Sequence, residues 1–510
     1  MTRVKRILGI IILAVIIWSF VACSMADTGS NDSTVTTAHS SDAPKDESDC
    51  ENTLVYEDDS LPDNLDFGGA TVTILSPKGN GKYSQYEVDF TVEELMSEPV
   101  NDSVYNREKF VEERLDVEIN NIQMDDVVPE IDKSLSSGDD MYQAYIYANH
   151  VITRYVIDKN MIDLYSVDYL DFDKPWWADG FNSEAELMGS LYLATGSLFL
   201  SLIRNCYSVY YNKVLGEDYL SRYPELGDLY SIVENGDWTF DKFVELGGSI
   251  YEDVDGDTVR DFDDIYGIAF SPVCAVDNIW SSFDIDILSK TDDGWVEFNV
   301  NTGKLFDSLE KVYNMAHYSL GSNFNGVIDE QGHGYETFDA EKYFVSGKNL
   351  FCVGYIGHAE QPSFRNMQHD YGILPFPKYD KAQKLYYTYS HDTYGAVAIP
   401  NTNSDPDTVG AVIEALASYS YRETLPLYLN VALKGKYMSD PESRRMIDII
   451  IDGIKVDSAW IYLGTLGCDY PTKFRYMIRN GETSFAAENE QLMRRASMLL
   501  KIYREEYERK

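Results

Sequence analysis

Three short stretches decide the fold: ATVTIL at residues 70–75, VYNREKFVEERL at 104–115 and VEINNI at 117–122. The first is a β-branched run, the second spaces its apolar residues as a helix does, and the third alternates as a strand does. Outward from them the pattern continues, with residues 127–135 reading as helix, 144–148 (AYIYA) as strand and 151–159 as helix. Strands separated by helices of this length predict βαβ units and a parallel sheet.

A second α/β stretch opens with a strand at 207–211, and further strands are expected at 266–270, 350–353 and 396–399. The last hundred or so residues are mainly helical, with apolar positions recurring through 409–417 and 491–503. The expected fold is therefore α/β, two lobes with a helical C-terminal tail.

The amino-terminal end is of a different kind. Arg3, Lys5 and Arg6 precede an apolar run from Ile7 to Trp18, followed by SFVAC at 19–23. A cationic head, a hydrophobic stretch short for a bilayer span and small residues before a cleavage point describe an export signal. A cysteine directly after the small residue resembles a bacterial lipobox, with Phe20 where Leu or Val is usual, which predicts a signal peptide over 1–22 and lipidation of Cys23. An uncleaved signal anchor is the alternative, and both place the rest of the chain outside the cytoplasm. Residues 23–60 are mostly polar and small, which predicts a disordered linker, because little apolar surface offsets the ordering entropy. Such a coil of about forty residues reaches roughly 35 Å.

Composition narrows the function. The formal net charge is −43, a surface that repels phosphate backbones and argues against nucleic acid as a partner. The chain carries 7 Trp, 39 Tyr and 22 Phe; rings with apolar faces and polar ends suit sites that hold polar ligands on flat surfaces. Cys23, Cys50, Cys206, Cys274, Cys352 and Cys468 show no C-x-x-C spacing, which argues against a zinc ribbon or a thioredoxin-like pair and leaves disulfide pairing open.

The sharpest local motif is DVDGDTVRDFDD at residues 253–264. Asp253, Asp255, Asp257, Asp261 and Asp264 fall at positions 1, 3, 5, 9 and 12, with the Val259 carbonyl at 7, the positions from which a twelve-residue loop wraps oxygens around calcium. Thr258 stands where such loops carry Gly, and Asp264 where they carry a bidentate Glu, so binding weaker than usual is expected. The ion's expected role is structural, fastening the loop before the next strand. The alternative is a solvated acidic turn.

Six segments in order carry a resemblance to a known family: NDSVYNREKFVEERLDVEINNI at 101–122, VYYNKVL at 209–215, GDWTFDKFVEL at 236–246, YGILPFP at 371–377, YYTYSHDTYGAVAIP at 386–400 and LKGKYMSDPES at 433–443. Together they resemble the extracellular solute-binding proteins of bacterial ABC importers, family 1 type, which often carry oligosaccharides. The resemblance implies a two-lobed, periplasmic-binding-protein-like (type II) clamshell, with lobe 1 at 61–205 and 396–435 and lobe 2 at 206–395 and 436–510. It further implies a monomeric, lipid-anchored receptor on the extracellular face of a Gram-positive type of envelope. Such a receptor captures a carbohydrate for the transmembrane subunits of a permease, meets the membrane only through its lipid, and has no catalytic residue or catalytic cofactor.

Aromatic and polar residues near strand ends and lobe crossings are the ligand-binding candidates. Tyr147, Asn149 and His150 close a strand, and Trp176 and Trp177 lie in a loop where at least one ring is expected to be exposed. Arg204 and Asn205 mark the first crossing, Asp277 and Trp280 follow the strand at 266–270, Tyr355 follows that at 350–353, and His391, Asp392 and Tyr394 precede the return. His150 and His391 lack the spacing of a metal pair and read as polar contacts. Two rival functions are a noncatalytic surface sugar sensor and a secreted glycoside hydrolase. The sensor differs only in what docks on the closed lobes; the hydrolase needs a carboxylate pair that nothing singles out.

Overall fold

The computed structural model describes residues 57–223, 226–324, 340–437, 440–464 and 469–509. The export segment, Cys23, Cys50 and Cys468 lie outside the described residues. Asp59 pairs with Arg114 at 2.6 Å and Asp58 pairs with Arg422, so the ordered chain starts before Leu61, earlier than composition alone places it.

Strands β1 (Ala70–Pro77), β2 (Val117–Met124) and β3 (Ala144–Ala148) form the first sheet with β12 (Gly395–Ala398), in the order β12-β3-β1-β2. β1 runs parallel to both β2 and β3, as two βαβ crossovers require, and β12 lies antiparallel to β3 with Gly395 opposite Ala148. The first crossover helix, Pro99–Leu115, begins on a proline, and its first free N–H groups, those of Val100 and Asn101, donate to the Glu98 carboxylate. Val104, Val111 and Leu115 form its buried stripe, and the helix stops at Asp116 in the left-handed region, φ 49°.

The second sheet comprises β4 (Tyr207–Asn212), β5 (Tyr251–Glu252), β6 (Ile265–Ala269), β9 (Ser322–Asn323), β10 (Asn349–Tyr355) and β11 (Tyr371–Pro375), ordered β11-β4-β10-β6-β5 with β9 also on β6. β4 is antiparallel to β10 and β11, whereas β10 and β6 are parallel. The sheet is thus mixed, because β4 enters straight from the first lobe and not through a crossover helix within its own. A hairpin of β7 (Leu288–Lys290) and β8 (Val296–Phe298) stands apart.

The chain crosses between lobes at residues 205–207 and returns at 389–391, and the two crossings pair with each other. Tyr207 N donates to Tyr389 O and His391 N to Asn205 O, both at 3.0 Å. A third passage uses a wide-pitched helix, Leu427–Tyr437, with π-type hydrogen bonding. Beyond it the helix Pro441–Asp452 caps the second sheet, where Ser443 Oγ accepts from Ile373 N at 3.2 Å. The tail ends in the helices Ser458–Tyr462, Tyr470–Arg479 and Phe485–Arg509. No helix among the described residues is long and apolar enough to cross a membrane.

One expectation fails here. Trp176 and Trp177 are both buried, at 0% and 4% exposure. The chain turns at Pro175 and is not extended, so one ring enters the core while Trp177 Nε1 donates to the buried Glu414 carboxylate at 3.0 Å.

Candidate functional site

Ligands of α/β folds settle beyond the carboxyl ends of strands, and here those ends face the lobe crossings. The loop after β1 supplies Tyr83, the helix Asn149–Ile157 after β3 supplies His150 and Arg154, and the return crossing supplies Asp392. Across from them stand Trp460 on the helix Ser458–Tyr462 and Arg495 on the last helix. Together they border a cavity of about 760 Å³.

The wall beside the crossings is fixed by hydrogen bonds. Asn149 Nδ2 and His150 Nδ1 each lie 2.8 Å from the Asp392 carbonyl. Tyr83 meets His150 edge to face, with centroids 5.1 Å apart, and Tyr147 at 5.9 Å. Asn205 Nδ2 donates to Thr393 Oγ1 at 3.1 Å. On the second lobe Tyr207 Oη donates to Tyr355 Oη at 3.1 Å, and Tyr355 sits 5.8 Å from the His391 ring. Burial lowers the His391 pKa against the pull of Asp392.

Tyr147, Asn149, His150, Asn205, Tyr355, His391 and Asp392 are therefore brought together. Asp277 lies just behind them, joined to Arg475. Trp280 is turned away into the packing, 1% exposed, with Nε1 donating to Pro471 O at 3.2 Å. Tyr394 packs edge-on to Phe181, centroids 5.8 Å apart, and Trp176 and Trp177 sit in the same kind of interior. Arg204 is engaged by protein: Nε and Nη2 reach the two oxygens of Glu360 at 2.8 and 2.9 Å. It borders a second cavity of about 510 Å³, lined also by Tyr86, Glu360 and Tyr428.

Strand-end reasoning misses Trp460, Arg154 and Arg475 because none of them follows a strand end closely: Arg154 lies more than a turn into its helix, and Trp460 and Arg475 sit on helices of the tail. Trp460 faces Tyr389 with centroids 5.0 Å apart, and Trp460 Nε1 and Tyr389 Oη are buried without a hydrogen-bond partner among the described residues. A Trp three residues after the helix-capping Asp457 was the available signal.

The acidic loop is a separate feature. Carboxylate oxygens of Asp253, Asp255 and Asp257 lie within 4.8 Å of one another. Thr258 adopts φ 69°, the left-handed conformation that Gly supplies at the sixth position of calcium loops. Asp264 is fully buried and accepts from Tyr251 Oη at 3.0 Å, Val254 N at 3.3 Å and Asp261 N at 3.2 Å. The donor set of clustered hard oxygens fits calcium, with Asp264 holding the loop's two ends together.

No protein-family model matches this sequence, and no curated protein sequence matches it. Solved structures share its architecture. An ABC substrate-binding protein from Listeria monocytogenes in complex with cycloalternan covers 85% of this chain and 98% of its own, at TM-score 0.52 and 12% identity. A cyclo/maltodextrin-binding protein complexed with maltotetraose covers 85% and 97%, at TM-score 0.52 and 11% identity. An ABC transporter solute-binding protein from Thermotoga lettingae bound with alpha-D-tagatose covers 85% and 100%, at TM-score 0.50 and 13% identity. At these identities the likeness is one of fold, and the chain has the two-lobed fold of ABC-transporter solute-binding proteins.

Proposed function

We propose that this chain is a noncatalytic extracellular receptor that closes its two lobes around a carbohydrate, oligosaccharide in size, and delivers it to an ABC import permease. The observation that carries this reading is the 760 Å³ cavity beside the lobe crossings, bordered by the Trp460 and Tyr83 rings together with His150, Arg154 and Asp392. Its volume lies within the range of about 300 to 1,000 Å³ usual for small-ligand sites. A sugar ring lays its C–H face on an aromatic ring, while its hydroxyls take the planar polar groups around it. The carbohydrates named with the similar structures support the same ligand class. Acylation at Cys23 ties the receptor, a monomer, to the membrane surface.

A thermal-shift screen against mono- and oligosaccharides tests the reading, since a ligand that binds only the folded state raises its melting temperature. A response to at least one glycan is expected. Response to peptides, with every glycan silent, would replace the ligand class, and release of sugar products on incubation would replace the noncatalytic role.

Residues 253–264 hold calcium in a structural role, supported by the clustered oxygens of Asp253, Asp255 and Asp257 and by the Thr258 backbone. Calorimetry on chelated protein is expected to show heat when millimolar calcium is added. No heat would sink this part of the reading.

A further inference from the structure

The two lobes are tied to one another by groups of the chain itself. Arg204 ends the helix Ser201–Arg204 just before the first crossing, and Glu360 ends the short helix Ile356–Glu360 that follows β10 in the second lobe. Their two parallel bonds, 2.8 and 2.9 Å, form the fork-to-fork arrangement that is strongest between guanidinium and carboxylate. Glu360 Oε1 also accepts from Tyr428 Oη at 2.6 Å, so the wide-pitched helix of the third passage joins the same knot. The guanidinium lies between two rings, 4.9 Å from the centroid of Tyr86 and 4.9 Å from that of Tyr428. Its side chain is only 6% exposed. Gly357 completes the contact: a Cβ there would stand 2.4 Å from Tyr86 Oη, so any larger residue must displace the Tyr86 ring.

We propose that Arg204, Glu360, Tyr428, Tyr86 and Gly357 form an interlobe clasp that holds the two lobes in the arrangement described above. Arg204 is then a positioning residue for capture and not a ligand contact. Its importance for uptake rests on the receptor reading above, but the clasp itself does not. Opening the lobes would separate a buried ion pair and strip the guanidinium of both rings, leaving each partner to be solvated afresh. Because every member is a protein group, the bias toward this arrangement is present whichever ligand is bound. A receptor whose competent state is already populated binds more tightly than one that must be closed by its ligand, in proportion to that population.

Small-angle scattering of the full chain, with no sugar added, tests the clasp independently of ligand identity. Wild-type protein should match the lobe arrangement described above. Glu360→Gln keeps the side chain's shape but removes its charge, and should raise the radius of gyration. Tyr428→Phe removes one bond and keeps the ring, giving a smaller rise. Gly357→Ala wedges Tyr86 away and should open the cleft with the ion pair chemically intact. Lys311→Ala, which breaks a distant ion pair with Asp241, should leave the profile unchanged. Amide exchange over residues 356–361 should quicken by about tenfold or more in Glu360→Gln. If Glu360→Gln fails to fold, Tyr428→Phe and Gly357→Ala decide the matter. Wild-type scattering of an open form, or clasp variants that superimpose on wild type, would overturn the proposal. A silent sugar screen beside an opened Glu360→Gln would instead overturn the receptor reading and leave the clasp standing.

Discussion

Asp277 Oδ2 lies 2.5 Å from Arg475 Nη1, while Asp277 Oδ1, on a residue only 1% exposed, has no hydrogen-bond partner among the described residues. Burial pushes the Asp277 pKa up to about 8 from 3.8; Arg475 pulls it down without prevailing, and Asp392 adds to the rise. Desolvation of the lone oxygen outweighs the single guanidinium bond.

The sign of the resulting pH dependence follows. With its folded pKa above its unfolded one, Asp277 keeps a proton in the fold that the unfolded chain has already lost. Stability therefore falls as pH rises from about 4 to about 8 and then levels, with a slope of up to about 1.4 kcal/mol per pH unit. Asp277→Asn lacks this contribution. Urea midpoints at pH 5, 6, 7 and 8 should show the variant gaining on wild type as pH rises, and parallel curves would refute the assignment.

Glu414 is fully buried, and burial lifts its pKa to about 7 although Trp177 holds one of its oxygens. Trp177→Phe deletes that donor and should cost about 1 to 3 kcal/mol. Because the ionised carboxylate needs the donor more, the loss of melting temperature should be larger at pH 8 than at pH 6. Equal losses at the two pH values would mean that Trp177 contributes packing alone.

Trp460 is the ring to test for ligand capture. Trp460→Ala should weaken binding of the tightest sugar in the screen at least about tenfold, or about 1.4 kcal/mol, and Trp460→Phe should weaken it less. Titration calorimetry with unchanged melting curves for the free variants separates lost contact from lost fold. Undiminished affinity in the Ala variant would move the sugar elsewhere in the cleft.

Thr258 holds a conformation that costs a side-chain-bearing residue about 1 kcal/mol or more. Thr258→Gly should tighten calcium about fivefold in a chelator competition, and Asp257→Asn should loosen it. Weaker binding in the Gly variant would show that Thr258 helps to rigidify the loop.

Much of the fold was readable locally. The strands expected at 70–75, 117–122 and 144–148 are present as β1, β2 and β3, because β-branched and aromatic runs bounded by turns have few other uses. β11 went unread, its YGILP carrying a glycine and ending on a proline. The antiparallel setting of β4 was also hidden, since strand direction there depends on where the first crossing delivers the chain. Around the cleft, strand ends led to His150 and Asp392, which line the cavity. Trp460 and Arg475 escaped because a helical residue reaches a site only through packing that the tail's periodicity does not describe. The indole pair at Trp176 and Trp177 misled for the complementary reason: a tight turn lets neighbouring rings enter one interior.

The pairing of β12 with β3, Gly395 against Ala148, bears on how the molecule is made. A chain is made amino terminus first, and when synthesis has reached residue 205 the first lobe still lacks its border strand. β3 then offers a bare row of backbone donors and acceptors until the whole second lobe has followed. Maturation must wait for the return passage, and a fragment ending before residue 395 would leave an adhesive edge where the intact protein has none.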